Sequence, residues 1–143
     1  MSTESTAIRL AGKLALLTAA GKISWLDAGH LGPWGEWPGQ VFKASVDDGT
    51  FAQIAEVPIP KSMITSYYFG VAEGKPEIFE VNIQDRPEEI FGVFAEGYPA
   101  DPSNEKLRLL NSLKDLYQAA RDSAKGTREK MEKFEQTLER RLA

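Results

Sequence analysis

Residues 41–57 read VFKASVDDGTFAQIAEV and contain the pattern that decides the fold. Two extended apolar runs, Val41 to Val46 and Thr50 to Val57, are separated by the turn sequence Asp47-Asp48-Gly49. An Asp-Gly pair ahead of a second apolar run is a strong hairpin signal, because tight hairpin turns need residues that tolerate positive φ angles. The stretch therefore predicts two antiparallel strands.

A second hairpin is predicted downstream, with strands at Ser66 to Ala72 and Glu77 to Ile83 around residues 73–76. Between the two hairpins, Pro58 and Pro60 are expected to end the strand that begins at Thr50, because proline donates no hydrogen bond to a ladder. Apolar residues of the second hairpin alternate at period two, which predicts one buried face. They are Tyr67, Phe69 and Val71 on the first strand, and Ile78 or Phe79, Val81 and Ile83 on the second.

A fifth strand is predicted at Lys22 to Leu26, where Ile23 and Trp25 share one face at period two, and Trp25 is expected in the core. The next stretch, residues 27–40, is rich in glycine, proline and tryptophan and predicts a loop. Residues 84–98 leave two alternatives open. A short helix starting near Pro87 is favoured over a strand at residues 90–94.

Helices are predicted at both ends of the chain. Leu10, Leu14 and Leu17 recur at helical spacing, so residues 6–20 form an amphipathic helix that Gly21 ends in a left-handed conformation. Asp101-Pro102 supplies an N-cap and a first-turn proline for a long second helix. Because a glycine costs about 1 kcal/mol inside a helix, a continuous helix through Gly126, which is favoured, competes with a helical hairpin at that point.

These elements predict an α+β fold with an N-terminal helix, an antiparallel sheet of about five strands and a long C-terminal helix. The first half of the C-terminal helix is expected to cover one face of the sheet. The chain then divides into an α+β domain at residues 1–125 and a charged amphipathic helical tail at residues 126–143, which continues the last helix.

Composition excludes several kinds of site and location. The 143 residues include no cysteine, which removes disulfides, thiolate nucleophiles and cysteine-bound metals. The most apolar helical stretch, residues 8–17, is interrupted by charges and is shorter than the roughly 20 residues of a membrane span, so no membrane segment is expected. Met1 to Thr6 is polar and lacks the features of a secretory signal, and a cytoplasmic location is therefore expected.

Charge is divided unevenly along the chain. Residues 1–104 hold 14 acidic and 7 basic residues, whereas residues 105–143 hold 10 basic and 7 acidic residues. The charges of the tail are interleaved in sign, which is typical of a solvated helix face. Nucleic acid is therefore not favoured as a partner.

The sequence also resembles an uncharacterised family of small bacterial domains. The likeness rests on residues 16–18 (LLT) followed by 21–25 (GKISW), on short paired strands, and on residues 113–121 (LKDLYQAAR). The family pattern is a helix ending in threonine, a Gly-Lys-Leu-x-Trp turn and a terminal Leu-Tyr-x-x-Ala-Arg helix; Ile23 replaces the leucine here. The resemblance implies an antiparallel sheet packed by terminal helices, and it implies no activity.

No catalytic centre, metal site or cofactor is predicted. His30 is the only histidine, so no pair of histidine ligands exists, and no serine lies in a motif that would activate it. His30 is expected to be a surface residue or to pack within its loop. The acidic residues near positions 47, 80 and 88 are expected to serve turns, strand edges and helix caps.

The predicted binding residues lie in two places. Trp34 and Trp37 lie in the glycine-rich loop and offer flat surfaces for stacking on a sugar, a base or a peptide; the alternative is that they cover the open end of the sheet. The tail holds four apolar residues at helical spacing, with no intramolecular surface obviously reserved for them. They are Met131, Phe134, Leu138 and Leu142.

These features predict a non-enzymatic protein-interaction or adaptor module, which self-associates or docks a protein partner through the C-terminal helix. The alternative is a small-ligand or peptide binding domain that uses Trp34 and Trp37. An enzyme ranks third, since it would need a cleft that contains a perturbed carboxylate or His30.

Overall fold

The computed structural model describes residues 3–32, 35–36, 39–47, 49–59, 64–73, 77–85 and 105–143. Within these residues lie two helices, α1 (Thr3–Ala19) and α2 (Glu105–Leu142). The strands are β1 (Leu26–Asp27), β2 (Leu31–Gly32), β3 (Gly35–Glu36), β4 (Val41–Asp47), β5 (Thr50–Ile59), β6 (Ile64–Glu73) and β7 (Glu77–Gln84).

Five of the strands form one antiparallel sheet in the order β1-β4-β5-β6-β7. With a helix at each end of the chain, this sheet confirms the predicted α+β fold. Both predicted hairpins are present: Ala44 of β4 lies opposite Ala52 of β5, and Phe69 of β6 lies opposite Val81 of β7. Gly49 in the first turn has a φ angle of 78°, which the Asp-Gly signal anticipates.

The register of the second hairpin settles which residues share the buried face. Val71 lies opposite Phe79, and Tyr67 lies opposite Ile83. Phe79, rather than Ile78, therefore continues the alternation. The rings of Phe69 and Phe79 meet edge to face with their centroids 5.8 Å apart.

The prediction that Pro58 ends its strand is wrong, because β5 continues to Ile59 and Pro58 pairs with Thr65. The pairing of β5 with β4 ends at Ala55, and the next amide, that of Glu56, donates to the carbonyl of Gln40. Since successive amides of a strand alternate in direction, the nitrogen of Pro58 lies on that same side, beyond the end of β4. A missing N–H removes no ladder hydrogen bond there.

The predicted strand at residues 22–26 is shorter than expected, because β1 contains only Leu26 and Asp27. The preceding amides bond to the helices instead of a neighbouring strand. Lys22 N–H donates to the carbonyl of Leu17, and Trp25 N–H donates to Ser123 Oγ at 3.0 Å.

The prediction of an unstructured loop at residues 27–40 is also wrong in part. β2 and β3 pair antiparallel within it, with Leu31 opposite Glu36 and Gly32 opposite Gly35. Each strand has two residues, which is too short for a period-two pattern to reveal.

The end of α1 follows the sequence prediction, although the helix starts earlier, at Thr3. Gly21 has a φ angle of 73°, and its N–H donates to the carbonyl of Thr18. Together with the bond from Lys22 to Leu17, this pattern is a Schellman motif, which satisfies the last carbonyls of the helix. The chain therefore turns sharply from α1 toward β1.

Trp25 occupies this turn and connects both helices to the core. Its side chain has no exposed surface. Its indole N–H donates to Thr18 Oγ1 at 2.9 Å, while the Thr18 hydroxyl donates to the carbonyl of Leu14 at 2.7 Å. The backbone bond from Trp25 to Ser123 then ties the turn to α2. The predicted core position of Trp25 is confirmed.

The core lies between one face of the sheet and the two helices. α2 crosses β1 and β4 to β7 and packs along α1. It is continuous through Gly126, in agreement with the favoured alternative. Its buried residues all precede position 125 and are Leu109, Leu110, Leu113, Leu116, Tyr117, Ala120 and Ala124.

Three predictions of secondary structure fall wholly or partly on residues that the structure does not describe. They are the short helix within residues 84–98, the cap at Asp101-Pro102, and the second proline of the β5 boundary, Pro60. Among the described helices, none is both long and apolar enough to cross a membrane.

We expect Trp25→Ala to lower the free energy of unfolding by about 3 to 5 kcal/mol, because it removes a large, fully buried ring. The matched control is Leu16→Ala on α1, whose side chain is 73% exposed and whose loss should change stability by about 0.5 kcal/mol or less. Urea denaturation of both variants measures the difference. Equal effects would show that Trp25 does not organise the core.

Candidate functional site

A groove runs along the side of α2 that faces the sheet, and it divides into a polar part and an apolar part. The polar part, called here the polar cleft, has a volume of about 740 Å³. The apolar part lies beside the tail and has a volume of about 890 Å³. Asp27, Ala124 and Arg128 line both parts, so the two are continuous.

Gln40 and Asp27 line the polar cleft where β1 meets the start of β4. Asp27 Oδ1 accepts a hydrogen bond from Gly29 N–H at 2.7 Å and another from the side-chain amide of Gln40. The Gln40 amide also donates to the carbonyl of Gly29 at 3.2 Å. These bonds hold the loop that leaves β1 against the start of β4.

Gly39 makes the same junction possible by its lack of a side chain. A Cβ atom at this position would lie 1.6 Å from the carbonyl oxygen of Glu56 and 2.9 Å from the Cδ of Pro58. The loop before β4 therefore rests directly on the backbone of β5. His30 also contacts this loop, since its Nδ1 lies 2.8 Å from the carbonyl oxygen of Gly39 and can only donate to it.

Phe42 and Tyr117 line the polar cleft, and Tyr67 packs against Tyr117. The ring of Tyr117 meets Phe42 and Tyr67 edge to face, with centroids 5.5 Å and 6.0 Å apart. The hydroxyl of Tyr67 donates to Glu56 Oε2 at 3.3 Å. Aromatic packing thus positions the Glu56 carboxylate at the edge of the core.

Burial raises the pKa of Tyr67 to about 12, and the negative charge and hydrogen bond of Glu56 add to the shift. Burial also raises the pKa of Tyr117, again with a contribution from Glu56, while Arg121 opposes it. Both phenols are therefore protonated at neutral pH and can act only as neutral hydrogen-bonding groups. Neither is a candidate nucleophile or general base there.

Charges of both signs line the polar cleft. Arg121, Lys125 and Arg128 of α2 face carboxylates from the strands and from α2 itself, which are Asp27, Glu56 and Asp122. Such a mixed lining favours no single charge on a ligand. Among the described residues, no group of three or more histidine, aspartate or glutamate side chains could hold a metal ion.

The apolar part of the groove is formed by the exposed end of α2. The exposed fractions are 64% for Met131, 64% for Phe134, 46% for Leu138 and 87% for Leu142. These four side chains are called here the tail stripe. With Thr127 between them, they follow Ala120 and Ala124 at intervals of three or four residues, so the tail stripe continues the helix face that the body buries.

Leu26 extends this apolar surface onto the body. It lies in β1, is 57% exposed, and lines the same groove as Met131, Phe134 and Leu138. The body and the projecting helix therefore form a notch with apolar side chains on both walls. Exposed contiguous apolar surface of this kind typically marks an interaction site.

The structure brings three of the predicted binding residues, Met131, Phe134 and Leu138, to one groove. Leu142 lies farther along the same helix. Trp34 and Trp37 lie outside the described residues, so their predicted role stays a prediction.

Sequence reasoning missed Leu26 and the polar cleft. The sequence did contain a signal for Leu26. Side chains alternate along a strand, so if Ile23 and Trp25 point into the core, Leu26 points to the opposite face and is exposed. The cleft had no local signal, since its lining residues Phe42, Glu56 and Tyr117 come from three elements that meet only through strand register and helix packing. Searches against models of protein families, curated proteins and solved structures found no match.

We expect Gly39→Ala to destabilise the protein strongly, because the added methyl group overlaps the backbone of Glu56. Gly12→Ala in α1 is the matched control. Nothing lies within 4 Å of a Cβ there, and alanine should stabilise the helix by about 0.5 to 1 kcal/mol. Thermal melts should move in opposite directions. A neutral Gly39→Ala would show that the loop does not rest on β5.

Stability should fall between pH 10 and 12, partly because of Tyr67. A folded pKa above the ordinary value of 10 favours the protonated phenol, so its contribution is complete below pH 10 and is lost as the pH rises through about 12. Tyr67→Phe removes this contribution and should give a shallower decline in the free energy of unfolding over that range. Urea denaturation at each pH measures both slopes, and equal slopes would contradict the assignment.

Proposed function

We propose that this protein is a non-enzymatic protein-interaction module that docks a second protein chain, or a second copy of itself, through the tail stripe. The observation that supports this most is the exposure of Met131, Phe134, Leu138 and Leu142 on a helix whose preceding turns are packed in the core. The proposal assigns no reaction and no cofactor to the protein. A cytoplasmic location stays a prediction.

Energetics favour a partner for the tail stripe. Full burial of a large apolar side chain contributes roughly 1.5 to 3 kcal/mol, and each member of the tail stripe is about half exposed or more. Without a partner, few contacts stabilise the tail, because an isolated helix of about 15 residues is only marginally stable in water. A partner would therefore bury the stripe and stabilise the helix together.

The other faces of the tail fit an exposed position. Glu129, Lys133 and Arg140 are exposed, and Arg128 makes an intrahelical ion pair with Glu132 at 3.3 Å. Pairs of this kind contribute about 0.3 to 0.5 kcal/mol, so they support the helix only slightly. The division of the tail into a charged side and an apolar side is typical of helices that bind in a groove or pair with another helix.

The body contributes a second wall to the proposed interface. Leu26 faces the tail stripe across the apolar part of the groove. An amphipathic helix laid along the tail could contact both walls at once. The alternative function, ligand binding through Trp34 and Trp37, stays a prediction.

We expect Phe134→Asp, alone or with Leu138→Asp, to abolish binding of a second chain while leaving the melting temperature of the body unchanged. Both side chains are exposed, so their replacement removes no core contact. Gln136→Asp adds the same charge on the opposite face of the helix and should leave binding intact. Light scattering and thermal melts report assembly and folding separately.

A shortened chain that ends at Lys125 tests whether the tail belongs to the core of the domain. If residues 126–143 form a tail outside the domain, this chain should melt within a few degrees of the full chain. A monomeric full chain combined with a much earlier melt of the shortened chain would place the tail in the domain's own core and refute the proposal.

A further inference from the structure

We infer that the occupant of the tail stripe is a second copy of this chain, whose tail lies antiparallel along it about a two-fold axis between Met131 and Phe134. This inference rests on the proposed function and deepens it by naming the partner. It is supported by three independent features: the phase of the stripe, the charges beside it, and the shape of the notch at Leu26.

The phase of the stripe excludes a parallel pair. The tail stripe lies on the same side of α2 as the body, since Leu26 of β1 lines one groove with Met131 and Phe134. In a parallel pair, the body of the second copy would occupy the space that this body already fills. In an antiparallel pair, the second body lies at the far end of the tail and the two do not overlap.

Antiparallel pairing also matches the apolar residues. With the axis between Met131 and Phe134, Met131 faces Phe134 of the second copy, and Leu138 faces Thr127 of the second copy. Since both copies are identical, each contact occurs twice, which is the property of an isologous interface. The stripe alternates steps of three and four residues from Ala124 to Leu138, the spacing that seats side chains between two paired helices.

Charges on one edge of the stripe are complementary in this register. Arg128 and Glu135 both line the apolar groove, one on each side of the axis. Arg128 of each copy then lies beside Glu135 of the other, which gives two symmetric ion pairs. Arg128 already pairs with Glu132 of its own helix, and its five N–H donors allow it to contact both carboxylates.

The end of the second tail fits the notch. In this register Leu142 of the second copy lies level with Ser123 and Ala124, where the tail meets the body. On the body, Leu26 lines the groove together with Ala124. Both leucines are mainly exposed in one copy, at 87% and 57%, and would cover each other in the pair.

The extent of the interface predicts a reversible dimer. Ala124 is already covered by the body, so the facing tail residues run from Thr127 to Leu138, about 18 Å of helix at 1.5 Å per residue. One helix face of this length buries less surface area than the roughly 800 Å² per partner that a standard interface buries. We therefore expect a dissociation constant in the micromolar range, so that the mass depends on concentration.

Charge reversal in the full chain tests the register. Arg128→Glu and Glu135→Arg each turn two attractive pairs into two repulsive ones, and each should weaken dimerisation by about tenfold or more. An equimolar mixture of the two variants regains both attractive pairs and should dimerise like the unaltered protein. The double variant, which carries both changes, should also regain dimerisation.

A matched control uses Glu129→Arg, a reversal on the opposite face of the helix. It should leave dimerisation unchanged. The control mixture combines Glu129→Arg with Arg128→Glu. Its two chains carry the same net charges as the chains of the test mixture, Arg128→Glu with Glu135→Arg. A mixed dimer in the control regains only one attractive pair. Analytical ultracentrifugation between about 1 μM and 1 mM measures every sample, and circular dichroism confirms that each variant is folded.

The outcomes separate the inference from the proposed function. Recovery in the test mixture, with less in the control mixture, supports the antiparallel dimer. A dimer that Phe134→Asp abolishes but that the mixture does not restore overturns the antiparallel register and leaves the proposed interaction surface in place. An unaltered chain that is monomeric at 1 mM overturns the second copy as occupant, and the melt of the chain ending at Lys125 then decides the proposed function.

Discussion

The structure depends on one constraint, the helical periodicity of α2, which fixes a single apolar face along the whole length of the helix. The half before Lys125 buries this face against the sheet and α1. The half after it exposes the same face to solvent, with Phe134 and Met131 both 64% accessible. Because the helix is continuous, the core determines the direction in which the tail stripe points.

The Trp25 turn is what holds the body in place beneath that helix. Its indole bonds to Thr18 and its backbone bonds to Ser123, so the end of α1 and the middle of α2 are fixed to the same residue. The turn also delivers the chain to β1, where Leu26 lies beside the tail. A core contact therefore positions one wall of the candidate interface.

Local patterns in the sequence were sufficient for most of the fold. The turn at Gly49, the alternation through Phe69 and the stop at Gly21 each depend on neighbouring residues, and each is confirmed. The errors came from tertiary context. Pro58 remains in a strand because β4 does not extend alongside it. The residues before Leu26 lie outside the sheet because the N–H of Trp25 donates to Ser123 instead of to a neighbouring strand.

The candidate site was predictable only in part for the same reason. The tail stripe is a repeat along one helix and is visible in the sequence. The polar cleft is not, because Tyr67 meets Glu56 through strand register and Tyr117 through helix packing. Amide hydrogen exchange of the tail is the most direct test that the stripe is stabilised by a second chain. At low protein concentration we expect residues 128–142 to exchange rapidly while residues 109–124 stay protected, with protection of the tail rising as concentration increases. Equal, concentration-independent protection of both halves of α2 would contradict it.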